Sequence, residues 1–160
     1  MKRPRQSSPG FTVIELLVVI VLLGILLALV TLTYSGVRAK NRNAARETTI
    51  DKIQIQFETY YARTSTYPTL ANLNTASWRT QNLPKLAANA LQDPHWNKAN
   101  RFCTTAGHAV ATTAPASSCY SYQVTGADGS TCDNSKTICA HYTLTASLEG
   151  GQKYVKSSLN

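Results

Sequence analysis

Residues 7–30 read SSPGFTVIELLVVIVLLGILLALV, and the apolar or small-residue run that starts at Phe11 continues to Thr33 with one exception, Glu15. A run of that length matches the ~20 residues a helix needs to cross a bilayer core of roughly 30 Å. A carboxylate inside such a run is unfavourable unless something neutralises it, so Glu15 needs a partner. Lys2, Arg3 and Arg5 stand just ahead of the run. Basic residues there hold the N-terminus in the cytoplasm, and the remainder of the chain is then exported. An ordinary cleaved secretory signal fits less well. Its apolar core usually spans ~7–15 residues, and no A-x-A site follows this one. The segment is therefore expected to remain as a membrane helix.

The chain has 160 residues and a formal net charge of +8, and beyond Thr33 it turns polar, with abundant Ser, Thr, Asn and Gln. One long helix is expected over residues 11–62, with no proline inside it and Gly24 as the helix-weakening residue of its apolar half. After Gly36 the pattern becomes amphipathic. Val37, Ile50, Ile53, Phe57, Tyr60 and Tyr61 return to one face, and Asp51, Glu58 and several glutamines lie on the other. Pro68 disfavours helical geometry at Tyr67 and ends the element. A loop-rich middle follows, with a short helix expected around Leu83 to Leu91 and a turn at Asp93-Pro94.

From Cys119 the texture is strand-like. Tyr120, Tyr122 and Val124 alternate with polar residues, a Gly126 to Gly129 turn follows, and Tyr142, Leu144 and Ala146 alternate within Ile138 to Leu148. Gly150-Gly151 then signals a hairpin into Lys153 to Lys156. The expected class is α+β, a long helical spine packed on a small antiparallel sheet. Its order is a basic leader (1–10), an apolar helix (11–33), its amphipathic continuation (34–62) and a globular head (63–160).

On these residues the N-terminus resembles the type IV pilin family, including the pseudopilins of type II secretion. A short basic leader, Lys2 to Pro9, is followed by Gly10, the aromatic Phe11 and an acid, Glu15, in register with a long apolar helix. The resemblance covers about the first third of the chain; Tyr67-Pro68 and Leu148-Glu149 add weaker likenesses. It implies cleavage after Gly10 by a prepilin peptidase, methylation of the new Phe11 amine, and a pilin fold. It also implies polymerisation with itself and other pilins, driven by an assembly platform and its ATPase. The chain would then pass from a single-pass inner-membrane form to an extracellular filament, a fimbrium of the kind used in motility or adhesion. The sequence departs from many pilins in having Leu32 near the place where they carry a helix-breaking proline.

Given cleavage, the chemistry of Glu15 follows. Phe11 and Glu15 are one turn apart, about 6 Å along a helix axis. The new α-amine, with a reference pKa of about 8, is mostly cationic at neutral pH. The Phe11 amine of a neighbouring subunit is thus a natural partner for Glu15, and any wrong stagger leaves the acid unpaired. The plainer alternative leaves Glu15 at headgroup level on a single-pass anchor. The expected function is a structural pilus subunit. The alternatives are a pseudopilin of a secretion or DNA-uptake apparatus, and a membrane-anchored binding protein that never polymerises.

Cys103, Cys119, Cys132 and Cys139 lie in the exported portion, where disulfides persist, and allow three pairings. Local loops favour Cys103–Cys119 and Cys132–Cys139. A zinc site from Cys132, Cys139 and His141 lacks the usual tight ligand spacing. Arg38, Arg42 and Arg46 recur every four residues as a basic stripe. Such a stripe can hold nucleic acid, but a lipid-contacting or intersubunit salt-bridge face is the favoured reading. Asp128 and Asp133 suit turn formation better than calcium. His95, His108 and His141 are scattered without a nucleophile at motif spacing, so no catalytic residue, cofactor or metal is expected.

Overall fold

The computed structural model describes residues 10–94, 107–111, 115 and 119–160, with the side chains of 30–35 outside that description. Its elements are α1 (Val13–Thr64), α2 (Leu70–Asn74), α3 (Ala76–Asn82), β1 (Ala109–Val110), β2 (Tyr120–Thr125), β3 (His141–Ser147) and β4 (Lys153–Ser157). The chain divides into two units at Arg38 and Ala39.

In the first unit α1 is apolar on every side. Ile14, Leu16, Ile20, Leu23, Leu26 and Leu29, described residues on all sides of the helix, are each more than half exposed. Among the described residues no helix is long and apolar enough to cross a membrane. The described side chains of the apolar run stop at Leu29, and the remainder of the span expected at 11–33 lies outside them.

In the second unit the sheet order is β1-β2-β3-β4. Tyr122 pairs with Leu144 and Val124 with Tyr142, while Leu144 pairs with Lys156 and Ala146 with Tyr154. Because side chains alternate along a strand, these pairs turn one face of β2 and β3 toward α1. Ile50, Ile53, Phe57 and Tyr60 meet that face and form one buried cluster with Tyr120, Tyr122, Tyr142 and Leu144. The Phe57 ring lies 5.0 Å from Tyr122 and 5.2 Å from Tyr142, edge-on to the latter. Edge contacts of this kind add to the area term of burial. Val37 of the expected apolar stripe is half exposed.

Three expectations need correction. The sheet is mixed, because β1 pairs with β2 in parallel, Ala109 against Tyr120. β1 is two residues long, too short for periodicity to reveal. The helix expected at Leu83 to Leu91 is a run of turns closed three residues back, Leu86 to Leu83 (2.9 Å) and Ala90 to Ala87 (2.9 Å). The helical turns fall earlier, in α2 and α3, where the Thr69 hydroxyl accepts the Asn72 amide (3.0 Å) as an N-cap.

α1 ends at Thr64 rather than 62, because Ser65 takes a left-handed conformation (φ 56°) and its amide reaches the Tyr61 carbonyl (2.7 Å). The β3–β4 hairpin closes as expected. Gly150 and Gly151 hold φ of 97° and 84°, which side-chain-bearing residues adopt at a penalty.

Candidate functional site

The described residues of the leader junction are exposed. Gly10, Phe11 and Thr12 precede α1 without helical structure, and all three are exposed. Nothing lies within 4 Å of the position a Cβ on Gly10 would take, so the small residue is not demanded by packing in this chain. Thr12 caps α1. Its carbonyl accepts the Leu16 amide (3.2 Å) and its hydroxyl oxygen accepts the Glu15 amide (3.2 Å). In return Glu15 Oε2 accepts from the Thr12 amide (3.1 Å) and the Thr12 hydroxyl (3.0 Å).

This is a reciprocal capping box, which satisfies two of the amides a helix start leaves unpaired. The acid also sits in the first turn, at the positive end of the helix dipole. The spacing Thr-x-x-Glu at 12–15 carries that signal in the sequence, beside the assembly and headgroup-level roles expected of Glu15. Glu15 is thus satisfied within its own chain, one turn from Phe11.

The basic stripe is not a free surface. Arg42 grips Glu149 with two parallel bonds (Nε–Oε1 2.5 Å, Nη2–Oε2 2.6 Å). Arg46 is buried and pairs with Asp93 through Nε (2.7 Å) and Nη2 (2.9 Å), and its Nη1 reaches Glu149 (3.2 Å). Asn43 joins the group, donating to the Glu149 carbonyl and accepting its amide. The stripe reading is corrected accordingly: two of its three arginines hold α1 to the β3–β4 turn and to Asp93, and only Arg38 stays exposed. Helical spacing placed them on one face but carried no information about the acids that meet them about 50 and 100 residues downstream. Hydrogen bonding from Arg42 holds the Glu149 carboxyl down to about 2.

Cys132 and Cys139 form a disulfide. Neither thiolate is then available to zinc. Cys119 is also disulfide-bonded, while Cys103, expected as its partner, lies outside the described residues. Within the disulfide loop Asp133 accepts the Ser135 and Lys136 amides (2.8 Å each), which holds its carboxyl well below the usual range. Asp128 accepts the Ser130 amide (3.0 Å). Both acids therefore shape turns. His108 meets the Asn74 carbonyl, His141 meets the Asn160 carbonyl, and His95 lies outside the described residues.

A second cluster went unread in the sequence. Glu58 accepts from the Tyr142 hydroxyl (2.7 Å) and the Tyr67 hydroxyl (2.9 Å), tying α1 to β3 and to the loop after the helix. Its spacing from those tyrosines is long-range and carries no local signal.

Residues 5–31 match the family model of the prokaryotic N-terminal methylation motif. The match spans the second half of the leader from Arg5, the Gly10-Phe11 junction, the capping box and most of the apolar run. The motif supports a type IV pilin-like or pseudopilin prepilin. No curated protein and no solved structure matches it. The pilin-like reading agrees with the fold: a long N-terminal helix whose second part packs on a four-stranded sheet. Such proteins are structural rather than enzymatic.

Proposed function

We propose that this pilin-like chain is the structural subunit of a type IV pilus filament. Prepilin peptidase cuts after Gly10, and the chain polymerises through its apolar helix. What supports the reading most is the exposed apolar surface of α1, among the described residues, directly after the exposed Gly10-Phe11 junction. Such a surface in water is a large penalty, and lipid or a bundle of like helices removes it. The methylation motif fits insertion in the cytoplasmic membrane first and assembly afterwards.

Before cleavage the capping box holds the Glu15 carboxylate, so the acid enters the apolar phase with hydrogen bonds already made. Removing the leader takes away Lys2, Arg3 and Arg5 and creates the Phe11 amine. Pairing with that amine on a neighbouring subunit adds a charge partner that Thr12 does not supply. The box thus keeps Glu15 oriented, and the neighbour's amine sets the axial stagger.

Gly10→Val tests the processing step. Among the described residues no atom lies within 4 Å of the Cβ a valine would add, so the head should fold normally while the leader is retained. Mass spectrometry of the membrane fraction should find the uncut form and electron microscopy no filaments. Normal cleavage of this variant would contradict the assigned junction.

A further inference from the structure

A polar cleft of about 530 Å³ opens on the head between α1 and the turns after α3, lined by Thr49, Lys52, Lys85, Asn89 and Gln92 over an apolar patch that includes Pro94. We propose that this cleft binds an acidic saccharide, its carboxylate or phosphate lying between Lys52 and Lys85.

The volume falls in the ~300–1,000 Å³ range of small-molecule sites. Lys52 and Lys85 are both exposed, and no ion pair engages either among the described residues. The one carboxylate in the lining, Asp93, is held in both oxygens by Arg46 and does not neutralise them. Two free ammoniums without a free acid favour an anion in the cleft.

The remaining lining selects among anions. Asn89, Gln92 and Thr49 supply amide and hydroxyl groups for a polyol. Leu86, Ala87 and Pro94 supply flat apolar contact for sugar C–H groups. Among the described residues no aromatic side chain lines the cleft.

The test uses the full-length chain in detergent micelles and isothermal titration calorimetry. Tetragalacturonate and glucose 6-phosphate probe the two anionic groups, and maltotetraose is the neutral control. At least one acidic probe should bind saturably, at least tenfold tighter than maltotetraose, and weaken with added salt. Lys52→Gln with Lys85→Gln should weaken it at least tenfold with an unchanged circular dichroism spectrum. Lys40→Gln with Lys136→Gln, exposed cations elsewhere, should leave it unchanged. Absence of saturable binding, equal binding of maltotetraose, or equal loss in both double variants would overturn the proposal. None of these outcomes depends on whether the chain polymerises.

Discussion

Arg46 and Glu149 show how much one side chain decides in a head with few charges. Arg46 is fully buried, and Asp93 is nearly so. Removing one member of such a pair leaves the other as an uncompensated buried charge, at about 3–5 kcal/mol. Arg46→Ala should therefore lower the stability of the head by that amount in urea unfolding followed by circular dichroism; an effect under about 1 kcal/mol would show the pair to be solvated. Glu149 gives a pH signature instead. Its carboxyl is held down to about 2 against an ordinary value of 4.5. A depressed acid contributes stability that is present above its unfolded value and is lost as pH falls through the folded one. The thermal midpoint of the wild type should thus exceed that of Glu149→Gln at pH 6, and the gap should close by about pH 2. A gap that widens on acidification would reverse the assignment.

Among the elements, α1 and the strands β2 to β4 were legible because each repeats its period over several residues. Ile50, Ile53 and Phe57 mark a helix face, and Tyr120, Tyr122, Tyr142 and Leu144 mark a sheet face. What escaped was either too short or too remote. β1 has two residues, and the Leu83 to Leu91 run has helical spacing yet closes as turns. The Cys132–Cys139 loop was legible as a local pairing, and its work is visible in space. Asn134, left-handed within it (φ 60°), accepts the Cys139 amide and donates to the Tyr67 carbonyl (2.7 Å). The loop therefore anchors the chain leaving α1. Replacing both Cys132 and Cys139 with Ser should destabilise the head by about 2 kcal/mol, a value at the low end for disulfides because the closed loop is short. A change below about 0.5 kcal/mol in denaturant unfolding would show that the Asn134 bonds hold the loop without the crosslink.

At the scale of the molecule, the described part of the first unit is an exposed apolar helix and the second unit has its own buried core. The change of texture shows in composition, since Phe11 to Thr33 is apolar or small apart from Glu15 and the chain beyond it turns polar. The site at their start was only half legible: the Gly10-Phe11-Glu15 register was read, and the Thr12 box was not, although Thr-x-x-Glu encodes it. The box supplies the means to separate two roles of one carboxylate. Glutamine serves as well as glutamate in a capping box but carries no charge. Glu15→Gln should therefore be inserted and cleaved after Gly10 with α1 correctly started, yet lack the charge that pairs with a neighbour's amine. The decisive measurement is the amount of this variant in sheared surface filaments, relative to the cleaved form in the membrane. Cleavage should be normal and incorporation reduced at least tenfold. Filaments at wild-type yield and spacing would contradict this, leaving Glu15 as a helix cap and removing charge from the assembly mechanism.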